Sequence, residues 1–193
     1  TQLTAPTQEN DIYGCFLAHA RGAKTIAFGT HITPIPVETM RPYPGLDFAL
    51  VGEPDLTIRD LLDHLEGRID QRSPEIVKMF EKHDPHYKPA FHEDGSLNMH
   101  GIKGIAWRKG DDIFLNFPRS FVADLDDMPI PMHELLPLQS YRMPLIKGPF
   151  TFIVTSRGCP AGCTYCIKHV SYQFSTRLRS PKLILEELWY LKR

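Results

Sequence analysis

Apolar residues over the first seventy positions follow two alternating patterns. In NDIYGCFLAHA (10–20), Ile12, Phe16 and Ala20 recur at helical spacing, and Gly22 stands just past the end as a stop. TIAFG packs a short apolar run against a glycine, which predicts a buried strand over 25–28, and DFALVGE repeats the pattern over 47–51. TIRDLLDHLEG then puts Ile58, Leu61, Leu62 and Leu65 on one side of an amphipathic helix closed by Gly67. Strands alternating with helices argue for a parallel α/β sheet. Two strands are few where about five or six are common, so the region reads as half of a larger sheet.

The pattern then changes. SPEIVKMFEKHDPHYKPAFHEDGSLNMHG (73–101) is polar and rich in His and Pro, with one short helix predicted over 74–81. GIAWRKGDDIFLNFPR predicts a hairpin, its strands near Ile102–Trp107 and Ile113–Phe117 around a turn at Lys109-Gly110-Asp111. LDDMPIPMHELLPLQSYRMP is proline-punctuated and extended, as a connector is. In PFTFIVTSRGC, Phe150, Phe152, Ile153 and Val154 predict a strand covered on both faces. RSPKLILEELWYLKR predicts a helix with Ser180 as N-cap, Pro181 in the first turn, Glu186 and Glu187 facing water, and Ile184, Leu188 and Leu191 along one side. That side meets no later partner, and the chain opens on Thr1, so a piece of a longer protein is expected.

Composition narrows the classes. The 193 residues carry a net charge of −1, with 42% hydrophobic and 23% charged residues, as soluble globular proteins do. Near-neutral charge gives no electrostatic reason to expect nucleic acid or an anionic membrane as partner. No apolar run approaches the roughly 20 residues that span a bilayer, and no secretory signal is visible. A cytoplasmic protein is expected. Four cysteines do not make a secreted disulfide scaffold, and Cys15 suits a buried structural thiol.

The other three cysteines carry the chemistry. Cys159, Cys163 and Cys166 form C-x3-C-x2-C. Three thiols cannot all pair, and loops this short strain a disulfide. Zinc fits the spacing of Cys163 and Cys166, with His169 completing a Cys3His set, although structural zinc sites usually draw ligand pairs from two knuckles and no second pair exists here. A 4Fe–4S cluster normally takes four thiolates; three leave one iron open to a substrate. Gly158 and Gly162 let the backbone bend so that the sulfurs converge. A loop at the carboxyl end of a strand is also where α/β folds place ligands.

With Tyr165 immediately before the last cysteine and a strand in front, the motif resembles the signature of radical S-adenosylmethionine enzymes. The resemblance implies that Cys159, Cys163 and Cys166 hold a 4Fe–4S cluster whose fourth iron chelates S-adenosylmethionine. It further implies that Tyr165 lies near the adenine, and that the partners are a small-molecule substrate and an electron donor such as flavodoxin or ferredoxin. AFGTHITPIPVETM and DFALVGEPDLTIRDLLDHL resemble the second half of the cobalamin-binding domain that precedes the radical domain in one large subclass. By that likeness Gly29, Thr30, His31, Gly52 and Glu53 border the corrin, and LDDMPIP with the hairpin forms the connector. GPFTFIVTSRGCPAGCTYCIKHVSYQFSTRLRSP is similar to the anaerobic magnesium-protoporphyrin IX monomethyl ester cyclase group. A D-x-H-x-x-G motif, whose histidine would ligate cobalt, does not occur in the chain, and the family's glycine-rich segment after the second barrel strand would lie past residue 193.

The expected fold is therefore α/β. Residues 1–70 would be the second half of a doubly wound cobalamin-binding-like domain, 71–148 a linker with a β-hairpin, and 149–193 the start of a radical SAM (β/α) barrel of about 250 residues. The expected activity is reductive cleavage of S-adenosylmethionine to a 5′-deoxyadenosyl radical, in an oxidative cyclase of tetrapyrrole type. The alternatives are a cobalamin-dependent radical methyltransferase, a zinc-stabilised module without catalysis, and a piece inactive by itself.

Other residues have plainer readings. His31 is a corrin contact by resemblance or a loop histidine facing solvent. His83, His86, His92 and His100 show no i, i+4 pair and read as a hydrated insertion. Arg157, Arg177 and Arg179 either neutralise carboxylate or cluster charge or serve as solvated and capping groups. Tyr172 and Phe174 read as core or loop anchors, and Asp124, Asp126 and Asp127 as a capped, solvated turn.

Overall fold

Strands β1 (Ile26–Ala27) and β2 (Phe48–Leu50) pair in parallel, Ile26 opposite Phe48 and Ala27 opposite Ala49, with α2 (Pro36–Met40) in the crossover. The computed structural model describes residues 1–4, 7–88, 91–92, 96, 98–145, 147–167 and 176–192. Both expected strands are present. The hairpin forms β3 (Ile105–Lys109) and β4 (Asp112–Leu115) about Gly110, which turns at φ +61°. Its first strand pairs antiparallel with β2, Phe48 opposite Trp107, Ala49 opposite Ala106 and Leu50 opposite Ile105. The sheet order is β1-β2-β3-β4. The hairpin thus satisfies the second edge of β2, whose backbone donors and acceptors would otherwise be left unpaired.

The register builds the core. Ala27, Ala49 and Ala106 stand side by side on one face, and their small side chains let Ile12 and Cys15 of α1 (Gln8–His19) and Met40 of α2 pack closely. On the other face Phe48, Leu50, Ile105 and Trp107 meet Leu61 of α3 (Pro54–Leu65). Each such large side chain withdrawn from water contributes about 1.5–3 kcal/mol. Cys15 is a buried core thiol, as expected.

Four apolar patterns are resolved differently from expectation. In α1 the edge that packs is Ile12–Cys15, while the Phe16 side chain is exposed. At Phe16 it is the backbone that packs, since a Cβ on Gly45 would lie 3.2 Å from its Cα. In α3, Leu62 and Leu65 are exposed, and Asp60, Asp63 and His64 are buried instead. Asp60 accepts from Arg72 (2.9 Å), Tyr87 (2.8 Å) and Arg119 (2.5 Å), and Arg72 lies 4.5 Å from the Phe80 ring of α4 (Pro74–His83). Hydrophobic periodicity cannot register a helix face buried through matched charge.

The third difference concerns residues 150–155. They form no strand; β5 is Ser156–Arg157 alone, paired antiparallel with β6 (Arg177–Leu178), and Phe152 and Val154 are exposed. Among the described residues β6 is the only strand beside β5, and Phe152 meets the Phe150 ring edge-on at 5.4 Å rather than a second sheet layer. The fourth lies in α5 (Pro181–Lys192). Ser180 Oγ accepts from the Leu183 amide (3.3 Å) as the expected cap, but Glu187 is fully buried rather than facing water. Arg179 and His133 supply the donors that allow it.

Candidate functional site

Because β1 and β2 are parallel, the chain leaves both at the same end of the sheet, and two glycine turns meet there. Gly29 adopts φ +117°, and a Cβ on it would lie 2.7 Å from the Leu3 carbonyl oxygen, so no other residue fits. Gly52 turns at φ +80° after β2. Thr33 joins them: its hydroxyl donates to Gly29 O (2.9 Å) and accepts from the Gly52 amide (3.2 Å). Thr30 and His31 are half-buried beside this link. Thr33 was not among the expected site residues, and the signal for it is a hydroxyl four positions after the glycine whose carbonyl it binds.

Glu53 follows the second turn and is buried. Its carboxylate accepts from the Val122 amide (3.0 Å) and from both terminal nitrogens of Arg177 (2.9 and 2.6 Å). Arg177 also donates to Val122 O and lies 5.5 Å from the Phe121 ring. Its register partner Arg157 holds Asp55 through two bonds (2.7 and 3.0 Å) and stands 3.7 Å from Glu53. Arg179 pairs with Glu187, and Asp126 accepts from the Ser180 amide (2.8 Å). The carboxylate-neutralising reading of the three arginines is the observed one. Their carboxylates stand at the start of α3, on Glu53 just before it and Asp55 in its first turn, and in α5.

The cysteine loop leaves this clamped ladder directly. Gly158 turns at φ +89° after Arg157; Cys159 and Cys166 are half-buried, and Cys163 is exposed. The Cys166 amide donates to Cys163 O (3.2 Å), closing a turn that leaves Tyr165 almost wholly in solvent. Among the described residues no three His, Cys, Asp or Glu side chains are gathered as a metal site. His169, Tyr172 and Phe174 lie outside the described residues. Beside the ladder an open trough of about 1050 Å³ is floored by Leu56, Met79, Leu125, Phe152, Val154 and Leu183.

The remaining candidates are structural. His83 is buried: its Nδ1 accepts from the Ala123 amide (3.2 Å), so Nε2 carries the proton and donates to Asp127 (2.7 Å). His86, His92 and His100 are exposed, and His100 sets its ring edge-on to Trp107 at 5.0 Å. Asp124 accepts from the Asp126 amide (3.0 Å) and Lys82 (3.1 Å), the expected capped turn, and these two bonds, that from Lys82 foremost, lower its pKa. Burial opposes ionisation of Asp60, but bonds from His64, Arg72 and Tyr87 and the charge of Arg119 hold its carboxyl well below the usual range. Burial and the Asp60 charge raise the Tyr87 phenol.

This arrangement of sheet, connector and clamped loop has known counterparts. It superposes on a cobalamin-dependent S-adenosylmethionine radical enzyme, OxsB, solved with aqua-cobalamin and S-adenosylmethionine, with a TM-score of 0.60 at 16% identity, covering 97% of this chain and 22% of that one. The radical S-adenosylmethionine methyltransferase TsrM from Kitasatospora setae, solved with cobalamin and a 4Fe–4S cluster, gives 0.57 at 11% identity over 96% of this chain and 32% of that one. The fold is that of the cobalamin-dependent radical SAM enzymes. In sequence the chain is 29% identical over 161 residues to an uncharacterised methyltransferase of Pyrococcus horikoshii, covering 83% of this chain and 28% of that one. It is 26% identical over 151 residues to the anaerobic magnesium-protoporphyrin IX monomethyl ester cyclase of Synechocystis, covering 78% and 24%. No family model matches. The chain spans less than a third of the length of these radical SAM and methyltransferase or cyclase relatives. Among the described residues, no helix is long and apolar enough to cross a membrane.

Proposed function

We propose that this chain is part of a radical S-adenosylmethionine enzyme, with Cys159, Cys163 and Cys166 as the protein ligands of a 4Fe–4S cluster. The observation that carries the reading is the placement of the three thiols: one accessible loop, leaving a ladder that is salt-bridged to the α/β sheet, in a fold shared with cobalamin-dependent enzymes of that class. The donor set fits the cluster, since three thiols from one loop leave one iron for a cofactor. When bound, cluster and S-adenosylmethionine supply reductive cleavage of the sulfonium to a carbon radical. The chain's own residues hold and orient. Gly158 turns the backbone out of the ladder and the Cys163–Cys166 turn sets the spacing of two of the thiols, while the exposed Tyr165 would lie near the adenine. Gly29, Thr30, His31, Gly52 and Glu53 would border a corrin at the sheet end.

A methyltransferase outcome is supported as well as a cyclase outcome, because relatives of both names align with most of the chain. Substrate binding and reduction by a flavodoxin or ferredoxin would involve the whole protein, in the reducing cytoplasm where thiols persist. The test is anaerobic reconstitution with iron and sulfide. The reading expects a sulfide-containing cluster that Cys163→Ala abolishes and Cys15→Ala spares. Tight zinc without sulfide would replace it with the zinc-stabilised module, and equal effects of the two variants would refute the ligand set.

A further inference from the structure

We infer that Glu53 and Arg177, with Asp55 and Arg157, are positioning residues that fix the cysteine loop in register with the glycine turns at the end of the sheet. The inference rests on the cofactor reading above, because its purpose is to hold a cluster-bearing loop against a corrin-bearing edge. Three observations carry it. Arg157 and Arg177 stand directly opposite each other in a ladder of only two residue pairs, where like charges repel, so the ladder is stable only against the carboxylates it meets. Those carboxylates are two residues apart at the start of α3, one residue and three residues after Gly52. On the other side, Cys159 is two residues after Arg157.

The contact is built for direction as well as attraction. Arg177 meets Glu53 fork to fork, with N···O distances of 2.9 and 2.6 Å, and the same carboxylate holds the Val122 amide at 3.0 Å. Three chain segments (the Gly52 turn, the connector at 121–122 and β6) therefore close on one buried group. Rotation of the ladder about the sheet would break two bidentate pairs at once. The Thr33 hydroxyl carries the same constraint on to Gly29. A rigid path thus runs from Gly29 through Thr33, Gly52, Glu53 and Arg177 to Arg157 and Cys159.

Pulsed dipolar spectroscopy tests the geometry without any cofactor. Nitroxides are placed on Cys159 and on Glu38→Cys of α2, which is exposed, in the full chain with Cys15, Cys163 and Cys166 replaced by Ser. One narrow distance peak is expected, and it is lost as a single peak in Glu53→Gln and Arg177→Gln. Should either Gln variant fail to fold, Arg157→Gln removes the more exposed pair and must broaden the same peak. A peak unchanged in all three variants, or already broad without them, overturns the clamp. Iron and sulfide uptake by the unsubstituted chain is the separate measurement of the cofactor reading: a narrow peak in a chain that takes up no cluster overturns that reading and, with it, the purpose assigned to the clamp.

Discussion

Arg157 and Arg177 are register partners across the β5–β6 ladder, and both meet carboxylates of the same helix start: Arg177 grips Glu53, while Arg157 grips Asp55 and stands 3.7 Å from Glu53. The two pairs differ in burial. Side-chain exposures are 9% and 3% for Arg177 and Glu53, against 23% and 31% for Arg157 and Asp55. Water screens the second pair and not the first.

Urea denaturation of single and double variants should separate them. Removing one partner of the Glu53–Arg177 pair strands a buried charge and should cost about 3–5 kcal/mol. A cycle on Arg157 and Asp55 should return a coupling of roughly 0.2–1 kcal/mol. Equal couplings would mean that burial does not set the strength of the clamp.

Two glycines offer a contrast in sign. Gly29→Ala forces a Cβ to 2.7 Å from the Leu3 carbonyl at φ +117°, and should destabilise by at least about 1–3 kcal/mol. Gly14 lies within α1 with nothing within 4 Å of a new Cβ, so Gly14→Ala should stabilise by about 0.5–1 kcal/mol. Thermal melting of both variants checks the pair, and a destabilised Gly14→Ala would contradict the described helix.

The sheet and its turns were legible because local pattern and tertiary role coincide there. Phe48, Ala49 and Leu50 read as a buried strand and are one. The paired arginines were visible only as flanking charges, since their partners lie more than a hundred positions away in sequence, Glu53 for Arg177 and Asp55 for Arg157. The buried face of α3 was misassigned to Leu62 and Leu65 because Asp60 is buried by Arg72 and Arg119, residues that periodicity within one helix cannot reveal. The apolar run at 150–154 had the composition of a covered strand. Composition sets what a segment can bury, and neighbours decide whether it does.

Asp60 should make stability fall in acid. Its folded pKa lies well below the usual carboxylate value, so the unfolded chain takes up the proton first. The contribution is fully present above the unfolded pKa of about 3.9 and is lost as pH drops below it toward the folded value. Urea midpoints between pH 7 and pH 3 should therefore decline at the acid end. Asp60→Asn should lower the midpoint at neutral pH, leaving Arg72 and Arg119 uncompensated, and flatten the acid decline. A variant as steep as the parent would assign the decline to other carboxylates.

The thiols should divide by reactivity, because the thiolate is the attacking species and burial withholds it. Cys15 sits in the core against the alanine face, and burial foremost raises its pKa. Cys163 is exposed on its loop. With a chromogenic disulfide reagent in native buffer, Cys163 should react in the first phase and Cys15 in the last, at a rate set by opening of the α1–sheet contact. Urea above the unfolding midpoint should merge the phases. Cys163→Ser should then remove amplitude from the first phase and Cys15→Ser from the last. If Cys15→Ser left the slow phase intact, the protected thiol would have to lie in the loop, and core burial of Cys15 would not account for the slow phase.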